Sequence, residues 1–435
     1  MMKRNVMIWM VATLAIVATA QVPKVESKVT LTAAVDRADA QYAVGETVTF
    51  RLYGTKGGQP ADGVTVECVI SKDGVDAEPA RQVTLTDGKA ELKGTLKEPG
   101  FLRLQARAGT ASAMAAAGVD PLNLKPSLPV PEDFDTFWKA QKDALAAVPM
   151  KAVVTPAGTS TAGVELVDVK VDCAGGAPVS GYLAKPAGAK AKSLPAILTV
   201  HGAGVTSANA GGATAWAQRE GGMLAMDINA HGLPNGKPAE FYKALAEGEL
   251  KDYRVRGPED REKVYFKGMF LRVLRALDFL TAQPEWDGRT LIVYGSSQGG
   301  FQAFAAAGLD ERVTFICAGV PAGCDHTGMK AKRVAGWPKL VAWKESGGPD
   351  EASLEASRYF DNVNFATRAK CRGAAVTVGF IDTTCPPTSV YAAYNALIVP
   401  KKLHFDVLAG HTNTPEASAF MQSAALEHVR VMRGQ

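Results

Sequence analysis

An all-β sandwich followed by a mostly parallel α/β domain is the fold class this sequence predicts, and three observations carry it. Up to about residue 118, apolar residues alternate with polar ones at a period of two and no helical period intervenes. From residue 164 onward, short dense apolar runs alternate with helical segments, the pattern of a sheet covered on both faces. Between the two lies a proline-rich stretch, 121–131, that disfavours helix and favours extended chain. The 47% hydrophobic and 21% charged composition of the 435 residues supplies enough apolar material for a core and excludes a disordered chain.

The first element is an export signal. Lys3 and Arg4 form a basic start, residues 6–18 carry no charge, and Ala18-Thr19-Ala20 has the small-x-small form of a cleavage site. The apolar run is shorter than the ~20 residues a spanning helix needs. Residues 1–20 are therefore expected to be removed from an exported, periplasmic or secreted protein. No membrane association is expected after removal.

Residues 21–120 form the sandwich. Val29, Leu31, Ala33 and Val35 alternate with polar neighbours, as do Val48, Phe50 and Leu52, then Val64, Val66 and Cys68. Asp87-Gly88 sits between two alternating runs, a hairpin signal because glycine accepts positive φ. About seven short strands with turns every 8–12 residues result, and the unit resembles an immunoglobulin-like module. It contains no His and no clustered polar constellation, so a spacer or packing role is expected. Glycan binding would call for exposed aromatics, of which Tyr42 and Tyr53 are the candidates. Residues 121–131 read as a linker. At residue 132 the second domain begins and runs to 435, opening with a helix in which Asp133 caps Phe134, Phe137, Trp138 and Leu145.

Two alternating strands, 164–171 and 179–184, meet at Gly175-Gly176. Apolar strands follow at 196–200, 223–226, 291–294, 314–320, 374–378 and 403–408, with a clear amphipathic helix over 263–282. An antiparallel opening followed by parallel strand–helix units is the order of the α/β-hydrolase fold. The six cysteines, Cys68, Cys173, Cys317, Cys324, Cys371 and Cys385, have neither disulfide-framework nor zinc spacing and read as small buried residues, with a Cys317–Cys324 pair left open.

Three strand ends carry chemistry. Gly295-Ser296-Ser297-Gln298-Gly299-Gly300 leaves the strand 291–294 and enters a helical run, which is G-x-S-x-G in strand–turn–helix context. The turn is tight enough to require very small flanking residues, and it projects the middle serine, Ser297, from the sheet edge; Ser296 falls outside that frame. A hydroxyl needs a base. Of the three later histidines, His404 lies inside a strand and His428 inside the terminal helix, whereas His411 follows the last strand on a loop. The acid is expected from the preceding strand end, at Asp382, with Asp325 and Asp406 as weaker candidates. A buried carboxylate there would fix the imidazole tautomer. An oxyanion hole is expected from the N–H of Gln298 and an N–H of the loop His201-Gly202-Ala203-Gly204, assigned to Ala203. His201 reads as structural.

Residues from about 128 to 433 resemble the acetyl xylan esterase/cephalosporin C deacetylase family of α/β-hydrolases. The likeness rests on 131–138, on His201-Gly202, on the helix 264–280, on the elbow with its Gln298, on Asp382-Thr383-Thr384-Cys385-Pro386-Pro387, and on Gly410-His411. It implies Ser297, Asp382 and His411 as nucleophile, acid and base, and removal of acetyl groups from sugars such as acetylated xylan and xylo-oligosaccharides. Three positions depart from the family pattern: Ala203 stands where an aromatic is usual, Asn229-Ala230-His231-Gly232-Leu233-Pro234 replaces an Arg-Gly-Gln motif, and Thr412 follows the histidine. His231 is a candidate substrate contact, and the charged segment 237–261 a candidate lid or a solvated insertion.

No metal or organic cofactor is expected. The charge balance, 48 Lys and Arg against 44 Asp and Glu, gives +4 and no basic stripe, so nucleic acid is not an expected partner. A homo-oligomer is left open. The alternatives are a short-chain carboxylesterase or peptidase-like hydrolase acting on a non-xylan substrate and, from another class, a non-catalytic glycan-binding surface protein.

Overall fold

The computed structural model describes residues 28–219 and 221–434. The expected signal segment lies outside them. Among the described residues no helix is long and apolar enough to cross a membrane.

Nine strands come first: β1 (Val29–Val35), β2 (Gln41–Tyr42), β3 (Val48–Lys56), β4 (Gln59–Pro60), β5 (Thr65–Lys72), β6 (Arg81–Thr84), β7 (Lys89–Gly94), β8 (Gly100–Ala108) and β9 (Ala111–Val119). They divide into two sheets. In one, β3 lies between β1 and β7 and also pairs with β4; the other runs β2-β9-β8-β5-β6. Leu31, Phe50 and Leu52 from the first sheet share one apolar cluster with Val66, Cys68, Ile70 and Leu104 from the second. The alternation read from the sequence is this inward face. The Asp87-Gly88 turn does form, with positive φ at both residues. Its flanking strands then part, because β6 joins the second sheet and β7 the first, leaving only a Thr86–Lys89 bridge. The turn is therefore a crossover between sheets and not a β-hairpin.

The stretch 121–131 is strapped down along its length. Asn395 donates to the carbonyls of Pro121 and Leu124, Ser127 donates through N and Oγ to Asp325, and Arg358 donates to the Pro129 carbonyl. The helix α1 (Phe134–Ala146) buries the four residues expected of it. Asp133 precedes it without capping it, because its carboxylate is taken by the Tyr359 hydroxyl and by Arg261.

The second region adds β10 (Ala152–Pro156), β11 (Val164–Val171), β12 (Val179–Pro186), β13 (Leu194–Val200), α2 (Ala210–Ala217), β14 (Leu224–Ile228), α3 (Ala239–Glu247), α4 (Tyr265–Thr281), β15 (Trp286–Ser296), α5 (Gln298–Leu309) and β16 (Phe315–Gly319). It continues through α6 (Glu351–Ser357), α7 (Asn362–Ala366), β17 (Gly373–Gly379), α8 (Pro387–Ala396), β18 (Lys401–Asp406) and α9 (Pro415–Arg433). One nine-stranded sheet runs β10-β11-β12-β14-β13-β15-β16-β17-β18, antiparallel up to the β12–β14 pair and parallel beyond. β13, β14, β16 and β17 are buried at every residue, which is why they read as dense apolar runs, with Asp227 of β14 the one ionisable residue among them. The edge strand β10 is exposed throughout, so no hydrophobic pattern announced it. All six cysteines are buried and free, and Cys317 and Cys324 form no disulfide. This is the α/β-hydrolase fold, and its parallel strands deliver their C-terminal loops to one edge.

The two regions pack directly on one another. Phe101 of β8 meets Phe380 edge-on, with ring centroids 5.0 Å apart, and Tyr391 of α8 at 5.4 Å. Asp73, at the end of β5, is buried with Arg103 at 3.1 Å and accepts from the Thr388 hydroxyl at 2.7 Å. Burial pushes the Asp73 carboxyl up to about 6 against the pull of Arg103.

Candidate active site

Ser297 stands between β15 and α5 with φ 56° and ψ −120°, a backbone region that costs a non-glycine residue about 1–3 kcal/mol. Close packing enforces the surrounding glycines. A Cβ on Gly295 would lie 2.6 Å from the Val200 carbonyl oxygen, and one on Gly299 would strike the same oxygen. The bend is pinned by the Ser297 N–H, which donates to the Gly319 carbonyl, and by the Ser297 carbonyl, which accepts from Phe301 and Ala322. Strain is thus held in place by the crossing of β13, β15 and α5.

Two loops complete a hydrogen-bonded line. The Ser297 hydroxyl lies 2.9 Å from His411 Nε2, and His411 Nδ1 lies 2.7 Å from Asp382 Oδ2. Asp382 is fully buried, and its Oδ1 accepts from the N–H groups of Thr384 and Cys385 at 2.7 and 2.9 Å. Those two bonds aim Oδ2 at the imidazole, which fixes the tautomer with Nδ1 protonated and Nε2 free to accept the serine proton. The weaker acid candidates are engaged elsewhere: Asp325 with Ser127 and Arg333, Asp406 with Thr414 and His404. His404 lies in β18, and His428 is buried in α9 against Thr314 and Phe315.

Ser296 has a part that no motif marked. Asn413, two residues beyond His411, donates from Nδ2 to Ser296 Oγ at 2.7 Å, while its Oδ1 accepts from the Thr377 hydroxyl at 2.5 Å. The histidine loop is thereby tied to the elbow and to β17. Asp382, Cys385 and His411 present atoms all within 4.8 Å of one another, the spacing of a metal site. The donor chemistry does not suit one. Burial, helped by the Asp382 charge, pushes the Cys385 thiol well up, whereas a metal ligand must be thiolate. The facing atoms of Asp382 and His411 are already bonded to each other.

On the other side of Ser297 lies the loop 201–204. A Cβ on Gly202 would sit 3.7 Å from the Ser297 Cβ, so this loop lies directly against the nucleophile. The N–H groups of Gln298, in the first turn of α5, and of Ala203 donate to no protein group among the described residues. The loop is held from behind. His201 Nε2 accepts from the Ala230 N–H at 3.0 Å, so its proton is on Nδ1 and donates to the Gly202 carbonyl at 2.6 Å. His231 faces the Gly204 carbonyl through Nε2 at 3.0 Å and the Tyr265 hydroxyl through Nδ1 at 2.7 Å. Burial drives the imidazole of His231 down to about 4, so it is neutral. It is 4% exposed with both nitrogens taken, which leaves none for a substrate. The contact expected of His231 is thus replaced by a supporting position behind the loop.

The segment 237–261 also differs from a simple lid. It contains α3 and a turn at Tyr253–Val255 that sends Tyr253 inward. The Tyr253 hydroxyl donates to Gln298 Oε1 at 2.5 Å, and its ring meets His231 edge-on at 4.6 Å. Burial raises the phenol to about 12. Arg272 of α4, also buried, donates through Nε and Nη2 to the Ala230 carbonyl. Tyr253, Tyr265, Arg272 and Asn413 are the supporting residues that sequence reading missed. The helical period over 263–282 marked Tyr265 and Arg272 as helix positions only.

Comparison with known proteins agrees with this architecture. The family model for acetyl xylan esterase (AXE1) matches residues 120–429. An acetyl esterase, Axe7A, of Xylanibacter ruminicola is 33% identical over 395 residues, covering 88% of this chain and 87% of the relative. Residues 120–435 make up under three quarters of the chain, so that match includes much of the N-terminal sheets. The acetyl xylan esterase from Paenibacillus sp. R4 superposes with a TM-score of 0.60 at 29% identity, over 71% of this chain and 98% of that one. Acetyl xylan esterase 1 from Thermoanaerobacterium sp. JW/SL YS485 shares the fold with a TM-score of 0.59 at 23% identity, over 70% and 97%. The chain belongs to the acetyl xylan esterase family of α/β-hydrolases and is a carboxylic ester hydrolase.

Proposed function

We propose that the protein is an exported serine esterase that removes acetyl groups from carbohydrates such as acetylated xylan or xylo-oligosaccharides. The observation that carries this reading is the continuous line from Ser297 through His411 to buried Asp382, beside two unengaged N–H groups. Ser297 Oγ attacks the acetyl carbonyl as His411 Nε2 takes its proton. The tetrahedral oxyanion is received by the N–H groups of Gln298 and Ala203, each such donor being worth roughly 3–4 kcal/mol of barrier. His411 returns the proton to the sugar oxygen, which leaves, and acetyl remains on Ser297. Water, deprotonated by the same imidazole, then releases acetate. Ala203 is small, so the loop places only a methyl group where the family usually has an aromatic, which should open the acyl or leaving-group side of the site.

The test is hydrolysis of p-nitrophenyl acetate, butyrate and octanoate, and of acetylated xylo-oligosaccharides, by wild type and Ser297→Ala. Loss of the nucleophile should lower kcat by on the order of 10⁶, as in a studied serine hydrolase. Acetate release from the sugars, abolished in the variant, is the expected result. Turnover of the small esters without sugar deacetylation would move the substrate to a non-carbohydrate ester. Equal inertness of both proteins would remove the serine mechanism. Export is checked by mass spectrometry of the protein recovered outside the cytoplasm, which should begin at residue 21.

A further inference from the structure

A second cleft lies beside the acid loop, walled by both regions of the molecule. Its volume is about 400 Å³, within the range of ligand sites. One lip is the turn after β5, with Val75 and Asp76; the other is the segment 329–343, with Lys332, Lys339 and Trp343. Both lips are fixed. Asp73, two residues before Val75, is buried against Arg103 and Thr388 at the start of α8. On the far side the Trp337 N–H donates to the Thr384 carbonyl at 2.7 Å, and a Cβ on Gly336 would lie 2.9 Å from Pro386. The wall that lines the cleft therefore packs directly on the loop that carries Asp382.

Its chemistry is specific. Trp343 is 64% exposed, an unusual state for so large an aromatic in a protein that buries most of its rings. Lys332 and Lys339 form no ion pair among the described residues, whereas their neighbours Lys330 and Arg333 are paired with Glu351 and Asp325. Both unpaired lysines sit at positive φ, 51° and 60°, where glycine would cost less. A flat apolar ring stacks on the C–H face of a pyranose, and two free ammonium groups call for a carboxylate. Asp76 on the opposite lip offers an acceptor for a sugar hydroxyl. Of the two sandwich tyrosines that could meet a glycan, Tyr42 is buried and Tyr53 is half-exposed, whereas the cleft presents the larger ring of Trp343.

We propose that this cleft binds the polysaccharide chain at a uronic acid residue, with Trp343 stacking on a sugar ring and Lys332 and Lys339 meeting the carboxylate. The proposal rests on the carbohydrate reading above. It makes the N-terminal sheets one wall of a substrate subsite.

The experiment uses the full chain with Ser297→Ala, so that binding is read without turnover. Calorimetry compares a xylo-oligosaccharide carrying one glucuronic acid branch with an unbranched one of the same length. The branched ligand should bind about five- to tenfold tighter at low salt, and the preference should shrink as salt rises. Lys332→Gln with Lys339→Gln should abolish the preference and leave the unbranched affinity in place. Trp343→Ala should weaken both ligands about tenfold. Equal affinity for the two ligands, no binding of either, or a preference that survives the double lysine variant would overturn the proposal. So would a Trp343→Ala change that converts a dimer to a monomer in sedimentation, because the cleft would then be an interface between copies. Ser297-dependent ester hydrolysis without glycan preference would sink the cleft alone. Glycan preference without ester hydrolysis would sink the esterase reading and leave the cleft standing.

Discussion

The two flanks of Ser297 handle charge in opposite ways. On the His411 flank a carboxylate is buried completely and braced by two backbone N–H groups before any positive charge exists on the imidazole. On the flank of the loop 201–204 the rings packed behind the loop are neutral, and the cation beside them, Arg272, is turned to the Ala230 carbonyl. Burial holds the imidazoles of His201 and His231 below their usual value and the phenols of Tyr253 and Tyr265 above theirs. On the proposed mechanism, positive charge develops on the first flank and negative charge on the second. A fixed anion suits the first. The second receives a transient oxyanion, so oriented N–H dipoles serve without an ionised group beside the resting ester. The difference teaches where each charge-handling group draws its support: the acid carboxylate from the backbone of its own loop, the oxyanion loop from side chains brought together by tertiary packing.

Among changes that leave Ser297 in place, the largest expected effect comes from erasing the charge on the acid flank alone. Asp382→Asn keeps the size and the Oδ1 acceptor for the Thr384 and Cys385 N–H groups but presents an amide NH2 donor to His411 Nδ1. The tautomer is then no longer fixed and the imidazolium is unsupported. A fall in kcat of about 10⁴ is expected, as for the same change in a studied triad enzyme, with little change in KM. Steady-state kinetics on p-nitrophenyl acetate, beside circular dichroism to verify folding, read this directly. A loss under tenfold would mean that the carboxylate is a structural brace and that the two flanks do not differ in the way described.

The same difference decides what was legible in the sequence. Ser297 and Asp382 each follow an apolar strand and His411 an alternating one, and glycine or proline marks each loop, so local pattern alone brought forward the three residues that the structure sets in one line. The inner parallel strands were legible because burial on both faces leaves dense apolar runs. The exposed strand β10 has no such run and went unread. Tyr253 gave no signal, since its partner Gln298 lies 45 residues away and its surroundings are a charged segment. Asn413 and Ser296 are 117 residues apart and share no motif. The turn at Asp87-Gly88 was readable because dihedral preference is local, yet which sheets its strands join is a long-range matter. Asp133 shows the same limit from the other side: a cap by local pattern, it is claimed by Tyr359 and Arg261.

The neutral flank is tested by pH. The His231 imidazole is pushed from 6.5 down to about 4 in the folded protein. The unfolded chain therefore binds the proton first. The stability that neutral His231 contributes is complete above pH 6.5 and is lost as pH falls toward 4. A shift of this size corresponds to about 3 kcal/mol. Asp73 and Asp227 work against it in the whole protein, because burial raises each to about 6 and their contribution is lost as pH rises. A paired comparison removes that background. His231→Gln should be less stable than wild type at pH 7.5, with the gap narrowing by about 3 kcal/mol between pH 7 and pH 4. Urea unfolding over a pH series measures it. Curves that stay parallel would show that the ring is not held neutral.

The smallest effect expected is the most local to the oxyanion flank. Tyr253→Phe deletes one hydroxyl and keeps the ring against His231. Gln298 Oε1 then loses its donor in a fully buried position, which costs about 1–3 kcal/mol. Part of that cost falls on folding. The rest lets the Gln298 side chain move, and with it the backbone N–H at the start of α5. A drop in kcat of about three- to tenfold is expected with KM nearly unchanged, since the N–H is used most when the oxyanion forms. A purely structural role would lower the melting temperature without this split. Tyr253→Phe combined with Gln298→Leu sharpens the point, because removing both partners leaves no unpaired acceptor. Stability should partly recover in the double variant, while kcat should remain low only if the bond serves to aim the Gln298 N–H. Recovery of both together would place Tyr253 in the packing of the loop and leave the oxyanion flank to the backbone alone.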